Sequence, residues 1–460
     1  MKGHGNMQEK LAKIFRFDTY GTDFKTELTA GLTTFMGMAY ILAVNPSIMS
    51  AAGMDKGAVF TATALAAALG TLIMALLTNY PFALAPGMGL NAYFAYTVVI
   101  NMGYSWQMAL AAVFVEGIIF IALSLTNVRE AIFNAIPATL KLAISSGIGL
   151  FICMIGFQNA HIIVNNDSTL VSMFSWTHAA SMTEGLTVLL AMIGIIITAF
   201  LMIKNVKGAV LIGILISWGL GIICQLAGLY VPIPDAGFYS LIPDFSAGIS
   251  IAPISPTFMK LDFSRVLSLD FFVVIFAFLF VDMFDTLGTL TGCAIKAGFL
   301  DENGKMPRIK GALLADSIAT SVGAVLGVST TTTYVESSLG IAEGGRTGLT
   351  GIVIAIMFLA SLLLSPIFLA IPSFATAPAL VIVGFLMMQN VVDIDFTDLT
   401  EGIPAFLCMA TMAFAYSISE GISVGFISYT ILNLLAGKRE KLSVLMYILT
   451  VLFILKYVFL

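Results

Sequence analysis

Charged residues are scarce in this sequence, and histidine and cysteine are scarcer still. Asp, Glu, Lys and Arg make up 10% of the 460 residues, whereas hydrophobic residues make up 59% and the mean hydropathy is +1.01. A soluble domain carries about 25% charged residues, so a soluble fold could not cover this much apolar surface. The composition predicts an integral membrane protein with lipid as its solvent. No basic stretch indicates a nucleic-acid partner.

The missing residue types also exclude several function classes. The four cysteines lie in apolar runs, and their spacing fits neither a disulfide framework nor a zinc site. His4, His161 and His178 all fall outside the predicted spans, so any proton coupling must use carboxyl groups. There is no Walker A loop, HExxH motif or nucleophile elbow. The sequence therefore argues against an ATP-driven pump and against an enzyme, and it implies no cofactor.

Long apolar runs are what the sequence has instead. A membrane-spanning helix needs about 20 mainly apolar residues. Predicted spans cover 27–49, 57–79, 83–102, 105–125, 138–158, 184–203, 207–229, 268–296, 308–325, 326–342, 347–370, 375–391, 401–417 and 420–437. A further apolar stretch, 442–459, is open to two interpretations, a fifteenth crossing or an interfacial segment.

Lysine and arginine give the predicted orientation. With the N-terminus in the cytoplasm and fourteen crossings, 17 of the 21 Lys and Arg residues fall on the cytoplasmic side. The long loop 158–184, on the other side, contains none. A shift of one crossing would spoil this sorting. The sequence thus predicts a multi-pass protein of the inner or plasma membrane with a cytoplasmic N-terminus.

Two of the apolar segments are interrupted at corresponding places. The first, from Tyr80 to Asn91, is YPFALAPGMGLN, and the second, from Val325 to Glu336, is VLGVSTTTTYVE. They lie about 243 residues apart, and the same offset relates the first predicted span to the eighth. Seven spans per repeat is an odd number, so the two halves have opposite orientations. The prediction is an all-α 7+7 inverted repeat with short extended segments before half-helices in spans 3 and 10, where secondary transporters bind their ligands.

The eighth span contains two aspartates in an otherwise apolar helix. One predicted helical face holds Asp282, Asp285, Thr286 and Thr289, at positions i, i+3, i+4 and i+7. A carboxylate in hydrocarbon costs at least a few kcal/mol, so this face must contact protein or water, and it suits proton uptake. Gly288 and Gly292 form a neighbouring face that we expect to allow close helix packing.

Polar residues also follow each break. Glu336 lies near a predicted helix N-terminus at the membrane midplane, and Asn91 holds the matching place after the first break. Glu116 in the fourth span is interpreted as an interhelical hydrogen-bond partner, and Asp316 in the ninth as structural. The predicted substrate-binding residues are Glu336, Asp285, Asn91, Tyr334, Thr286, Thr333 and Gly89, and the predicted proton-coupling residues are Asp285, Asp282 and Glu336.

Over nearly its whole length the sequence resembles the azaguanine-type purine permease branch of the nucleobase/ascorbate transporter superfamily. The resemblance rests on FDTYG from Phe17, MAYILAVNP from Met38, APGMGLN from Ala85, FDTLGT from Phe284 and STTTTYVESS from Ser329. It implies a 7+7 fold divided into a core domain and a gate domain. The implied divisions are a cytoplasmic segment 1–26, core 27–125 and 268–370, gate 138–229 and 375–437, and a C-terminal segment 438–460.

The resemblance also implies a function. We expect import of purine nucleobases by proton symport, with core and gate rocking to alternate access, in a homodimer surrounded by membrane lipid. Guanine and hypoxanthine are the expected substrates, with adenine and xanthine left open. The essential carboxylates of the family correspond to Asp285 and Glu336, and its polar position after the first break corresponds to Asn91. Asp282 is not a fixed feature of the branch.

The chemistry of the residues agrees with a purine. A carboxylate can accept two N–H groups from the edge of guanine, an amide can pair with a carbonyl or ring nitrogen, and Tyr93, Phe94 or Tyr334 could stack on the ring. An anion carrier on the same fold is an alternative, but it needs a positive residue at the midplane. A sodium-coupled carrier of another small heterocycle stays open, because carboxylates and carbonyls also bind sodium.

Overall fold

Apolar helices account for most of the structure. The computed structural model describes residues 3–126, 136–234, 237–243, 250–266, 268–301 and 306–459. Lys2, Arg129 and Lys305, which the sequence assigns to the cytoplasmic side, lie outside those residues. Helices predominate because no water solvates a backbone inside a bilayer, and a helix satisfies its own N–H and C=O groups.

In the first half of the chain, polar caps and three short strands interrupt the helices. The elements are α1 (Gly3–Phe15), α2 (Phe24–Met38), α3 (Ile41–Ala51), α4 (Lys56–Thr78), β1 (Leu84–Pro86), α5 (Met88–Ala92), α6 (Trp106–Ser124), α7 (Ala138–Asn159), β2 (Ile163–Asn166), β3 (Leu170–Met173), α8 (Met182–Ile203) and α9 (Ala209–Leu226). Asp55 and Ser105 cap α4 and α6 by accepting a hydrogen bond from the backbone three residues along. A π-helix, Tyr93–Asn101, continues α5.

The second half repeats this order, again with one strand before a half-helix. Its elements are α10 (Leu269–Ala297), α11 (Ile309–Leu326), β4 (Thr331–Thr333), α12 (Ser337–Ala342), α13 (Gly348–Ser361), α14 (Ser373–Met388), α15 (Leu399–Phe414), α16 (Ile418–Leu435) and α17 (Val444–Phe459). Helical segments Leu362–Leu364 and Ser365–Ala370 extend α13. Gly327, with a φ of 103°, ends α11 in the left-handed region that glycine tolerates, and β4 follows it.

The helices follow the predicted spans in order. Among the described residues, eleven helices are long and apolar enough to cross a membrane, with α2 and α3 together forming the first of them. Helix α15 is shorter, and the segments that contain β1 and β4 are not among the eleven. The total of fourteen stays a prediction. Helix α17, in the predicted apolar stretch 442–459, packs on α16, where the Thr430 and Thr450 hydroxyls lie 2.7 Å apart.

The two interrupted segments meet as a two-stranded antiparallel sheet. Leu84 lies opposite Thr333, and beyond the strand the Gly87 N–H donates to the Thr330 carbonyl at 2.9 Å. Each strand is fully buried and lies outside any helix. Pairing with the other strand therefore satisfies backbone N–H and C=O groups that have no intrahelical partner. Because the strands are antiparallel and each precedes a half-helix, α5 and α12 leave the pair in opposite directions. The predicted meeting of the two breaks is confirmed.

Equivalent helices of the two halves hold the strands from behind. The Thr71 hydroxyl of α4 accepts from the Leu84 N–H at 2.9 Å and donates to the Leu84 carbonyl. The Thr320 hydroxyl of α11 donates to the Thr331 carbonyl at 3.0 Å. Helices α4 and α11 occupy the same place in each repeat, so the inverted relation of the halves extends to the side chains that anchor each break.

Polar contacts join the loops that the sequence assigns to one side. Arg308 donates to the Tyr20 hydroxyl at 2.7 Å, and Lys438 pairs with Asp398 at 2.8 Å. The hydrogen bond from Lys438, joined by others from Thr400 and Lys441, holds the pKa of the Asp398 carboxyl well below its usual range. Each of these two contacts joins segments that the charge sorting assigns to the same side.

The sequence patterns do not predict the β-hairpin in the long loop 158–184. Strands β2 and β3 form a hairpin there, with Ile163 opposite Met173 and Asn166 opposite Leu170. The Asn166 side chain accepts from the backbone of Ser168 in the turn at 2.9 Å. The hairpin lies at the side of the protein opposite to the Arg308 and Lys438 loops in the predicted topology.

We expect Glu27→Ala to destabilise the protein by about 1–3 kcal/mol, because it leaves buried donors without an acceptor. Glu27 is fully buried and accepts from the Arg346 N–H at 2.9 Å and from the Thr350 hydroxyl at 2.6 Å. It also accepts from the Thr347 and Thr350 N–H groups at the start of α13. Thermal unfolding of detergent-purified protein measures the effect. Glu9→Ala, at an exposed position of α1, is the control and should leave the melting temperature unchanged.

A second prediction tests the strand pair. A Cβ at Gly87 would lie 2.6 Å from the Thr332 Cγ2 across the pair, so Gly87→Ala must push the strands apart. Overpacking of this kind costs about 1–3 kcal/mol, and we expect a lowered melting temperature in the same assay. Gly219→Ala, in α9 where nothing lies within 4 Å, is the matched control. Equal melting temperatures for the two variants would contradict the tight crossing.

Candidate functional site

Side chains from both breaks converge on one carbonyl group. The Tyr334 hydroxyl donates to the Pro86 carbonyl at 2.6 Å, and the Asn91 amide donates to the same oxygen at 3.3 Å. The Ser337 hydroxyl accepts from the Ala83 N–H at 2.9 Å, which ties α12 to the first break. Tyr334 and Asn91, two of the predicted binding residues, are thus held at the centre of the molecule by backbone that the repeat brings together.

Asn91 has a side-chain hydrogen-bond acceptor that no described donor contacts. Its side chain is fully buried, and its Oδ1 atom has no hydrogen-bond partner in the described part of the chain. A buried amide oxygen without a donor is costly unless a ligand or water supplies one. The Thr333 hydroxyl, another predicted binding group, is likewise buried without a described partner. Both positions can therefore offer hydrogen bonds to a bound polar molecule.

Glu336 is held by a tyrosine from the first helix. It lies at the N-cap position of α12, and its Oε1 accepts from the Tyr40 hydroxyl at 2.6 Å. Tyr40 is 1% exposed and lies at the junction of α2 and α3, so it provides a fixed donor. Glu336 itself is partly exposed, and one of its two carboxyl oxygens is oriented by Tyr40.

Asp285 lies across from Glu336 on α10. The charges that act on it are the carboxyls of Asp282 and Glu336. Its Oδ2 atom lies 3.7 Å from the position of a Cβ at Gly87, next to the first break. Asp285 and Glu336 come from two different helices and are both partly exposed, and we call the exposed face of α10 that begins at Asp285 the open space.

The open space extends along α10, where one expectation was wrong. Gly288 and Gly292 are exposed, and nothing lies within 4 Å of a Cβ at either position, so this face does not pack against a helix. Thr289 is half-buried beside them. The small residues instead leave room next to Asp285. The face continues to exposed Lys296, at the end of α10 that the charge sorting assigns to the cytoplasm.

Asp282 and Thr286 lie on the neighbouring, buried side of α10. The Thr286 hydroxyl lies 2.9 Å from Asp282 Oδ1, 3.0 Å from Asp316 Oδ2 and 2.9 Å from the Thr332 hydroxyl. The face predicted for α10 therefore has an exposed part with Asp285 and a buried part with Asp282. Thr286, a predicted binding residue, uses its hydroxyl within the protein, where it connects the two aspartates with β4.

Glu116 belongs to this buried side as well. Its Oε2 accepts from the Thr330 hydroxyl at 2.9 Å, which joins α6 to the residue before β4 rather than to another helix. Asp316 accepts from the Thr333 N–H at 3.2 Å. Its structural interpretation fits this contact, because a buried strand N–H needs an acceptor. Neither carboxyl reaches the open space.

The remaining predicted residues are three aromatic residues and Gly89. Tyr93 is 1% exposed and packs edge-on against Phe278, with ring centroids 4.9 Å apart, and Phe94 is fully buried. Of the three aromatic candidates, Tyr334 is the one that lies at the strand pair. A Cβ at Gly89 would lie 2.6 Å from Ile148 Cγ2, so Gly89 permits the close approach of α5 to α7.

Tyr40 is the residue that sequence reasoning missed. A tyrosine in an apolar first span carries no signal by itself, since its partner Glu336 lies 296 residues away. The run MAYILAVNP contains it, but only the folded repeat shows which carboxyl its hydroxyl contacts. All four cysteines are free, in agreement with their reading as small apolar residues.

The architecture matches transporters of known structure. The transmembrane domain of the cyanobacterial bicarbonate transporter BicA superposes with a TM-score of 0.61 at 17% identity, covering 87% of this chain and 96% of that one. SLC26A9 gives 0.63 at 10% identity, covering 94% of this chain and 70% of that one. At these identities the likeness shows the fold alone, and that fold is the 7+7 inverted repeat.

Sequence relatives are much closer. A putative permease of Methanocaldococcus jannaschii is 49% identical over 98% of this chain and 98% of its own length. The guanine/hypoxanthine permease PbuG of Bacillus subtilis is 46% identical over 98% of this chain and 100% of its own. The adenine permease AdeP of Escherichia coli is 42% identical over 98% and 97%.

The family follows from these matches. A sequence profile of the permease family Xan_ur_permease matches residues 25–424. The resemblance to the purine permease branch is thereby confirmed. Because the match covers both repeats and every residue of the paired breaks, the chain belongs to the Xan_ur_permease family and is a multi-pass membrane transporter, not an enzyme.

Proposed function

We propose that this chain imports purine nucleobases, guanine or hypoxanthine foremost, together with a proton. The observation that carries the proposal is the proximity of two partly exposed carboxyls, Asp285 and Glu336, to the paired breaks, where Asn91 and Tyr334 donate to the Pro86 carbonyl. Relatives that are named guanine/hypoxanthine and adenine permeases align with the chain over almost its full length. Both lines of support point to one substrate class.

The chemistry of the site suits a neutral heterocycle with N–H groups on its edge. Two carboxyls are acceptors, and a carboxylate that accepts two N–H donors forms a strong, directional pair. The Asn91 Oδ1 atom adds an acceptor, and its amide nitrogen is already engaged. An anion would meet Asp285 and Glu336 at close range, and the charges that act on Asp285 are carboxyls. This favours a purine over the anion alternative.

Alternating access follows from the arrangement of the two repeats. We place spans 1–4 and 8–11 (27–125 and 268–370) in a core that carries both breaks, and spans 5–7 and 12–14 (138–229 and 375–437) in a gate. The core would move against the gate to expose the site to each side in turn. The exposed face of α10 below Asp285 supports a route from the site to the predicted cytoplasmic side. A homodimer stays a prediction.

The candidate carriers of the coupling proton in this proposal are Asp285, Asp282 and Glu336. Asp285 and Glu336 are partly exposed, Asp282 is fully buried on the same helix as Asp285, and no histidine lies within the predicted spans. We expect vesicles that contain the wild-type protein to accumulate radiolabelled hypoxanthine when the outside is made acidic. Asp285→Asn and Glu336→Gln should each reduce this uptake at least tenfold, because each removes a carboxylate that accepts N–H groups from the base.

Controls make this result specific. Glu343→Gln changes a carboxyl that pairs with Lys207 near the surface, and its uptake should match that of wild type. Competition by unlabelled guanine, hypoxanthine, xanthine and adenine ranks the substrates. A wild type that takes up none of the four bases, at the same level as Asp285→Asn, would contradict the proposed function.

A milder change tests the orientation of Glu336. Tyr40→Phe removes the hydrogen bond to Glu336 Oε1 and keeps the ring in place. A hydrogen bond to a charged group contributes about 1.5–3 kcal/mol, so we expect the apparent affinity for hypoxanthine to fall by about tenfold or more. Binding to purified protein measures it. Unchanged affinity would mean that Glu336 does not hold the base in the orientation that Tyr40 sets.

A further inference from the structure

The buried side of α10 holds two carboxyl groups that contact each other. Glu116 and Asp282 lie within hydrogen-bond distance, side chain to side chain, and both residues are 0% exposed. Glu116 Oε2 accepts from the Thr330 hydroxyl, but its Oε1 meets no N–H or O–H donor of the described residues. The contact with Asp282 therefore has to account for a Glu116 oxygen that is fully buried without a donor.

A hydrogen bond between two carboxyl groups requires a proton. Two carboxylates are acceptors only, so Glu116 and Asp282 can bond to each other only when one of them is a carboxylic acid. The groups that act on Glu116 are the carboxyls of Asp282 and Asp316 and the Thr330 hydroxyl. Asp285 lies one turn along α10 from Asp282, and the carboxyls of Asp282 and Glu336 act on it. In the described part of the chain, no Lys or Arg is among the groups that act on Glu116 and could replace the proton.

The contrast with Glu27 shows what a structural carboxylate looks like in this protein. Glu27 is equally buried, but it accepts hydrogen bonds from three backbone N–H groups and one hydroxyl at the start of α13. Those donors stabilise its charge without any proton. Glu116 has a single hydroxyl donor and a facing carboxyl. A purely structural carboxyl would not be placed in this way.

We propose that Glu116 and Asp282 together form the site that stores the coupling proton, and this inference rests on the proposed function. Both carboxyls of the pair are fully buried, whereas the purine would bind at the partly exposed Asp285 and Glu336, so proton and base occupy separate sites. With one proton the pair is held together and carries one negative charge. Loss of that proton leaves two facing carboxylates in a low-dielectric interior, and their repulsion drives the pair apart.

The strand β4 connects the proton site with the substrate site. Glu116 holds Thr330, whose carbonyl accepts from Gly87. Asp282 bonds to Thr286, which bonds to Thr332 in β4. Separation of the pair would therefore pull on both ends of the contact between the breaks. Base binding at the exposed carboxyls and proton binding at the buried ones stabilise the same strand geometry, which is the reciprocal coupling that symport needs.

The test separates exchange from proton movement. In proteoliposomes, hypoxanthine counterflow needs no net proton transfer, whereas accumulation in a pH gradient and acidification reported by a trapped pH dye both do. We expect Glu116→Gln to keep counterflow within about threefold of wild type, while its accumulation and its dye signal fall at least tenfold. Glu401→Gln, a change of the same kind at a carboxyl paired with Lys441, should leave all three unchanged.

Several outcomes would overturn the inference. Glu116→Gln that still acidifies the lumen in step with hypoxanthine entry shows that the proton is elsewhere. Wild type that accumulates hypoxanthine in a sodium gradient but not in a pH gradient shows a different coupling ion. Absence of counterflow in wild type contradicts the proposed function instead, so the two failures are distinguishable.

A measurement on wild type keeps the inference testable even if the Glu116 variants fail to fold. The infrared spectrum of purified protein should contain the carbonyl stretch of a buried carboxylic acid, and this band should disappear at alkaline pH. Thr330→Val, which removes the hydroxyl donor to Glu116 and keeps both carboxyls, should shift the pH at which the band disappears. Wild type without such a band at any pH at which it binds hypoxanthine would contradict the shared proton.

Discussion

The pairing of β1 with β4 is the constraint on which the rest of the structure depends. A bilayer offers no water to an extended backbone, so three residues of strand at this depth need a partner. The chain provides one from its other half, and anchors both with hydroxyls from α4 and α11. The strand pair fixes the positions at which α5 and α12 begin. It also constrains the neighbouring carboxyls of α10, Asp282 and Asp285.

The acidic residues near the strand pair differ in exposure. Asp285 and Glu336 are partly exposed. Glu116, Asp282 and Asp316 are fully buried. The Thr286 hydroxyl contacts Asp282, Asp316 and Thr332 of β4. In the proposed symport, the base at the exposed carboxyls and the proton at the buried ones would act on the same strand pair.

Much of this arrangement follows from the sequence, for identifiable reasons. Hydropathy and the offset of the breaks predict the repeat, because apolar length and proline, glycine or threonine runs act locally along the chain. Side-chain partners are not local. The split of the α10 stripe into two faces, the openness at Gly288 and Gly292, and the Tyr40 contact with Glu336 depend on which helices pack where. Helical periodicity alone does not show which neighbouring element each face of α10 contacts.

The separation of β1 and β4 along the chain has a consequence for how the protein is synthesised. Leu84–Pro86 finds its partner only when Thr331–Thr333 has been synthesised, and ribosomes add about 5–20 residues per second, so the wait is on the order of tens of seconds. During that time the first seven spans are in the membrane with a strand that nothing completes. The first half is therefore unfinished until the second arrives, and a chain truncated between the repeats would be expected to be recognised as defective rather than to persist as half a transporter.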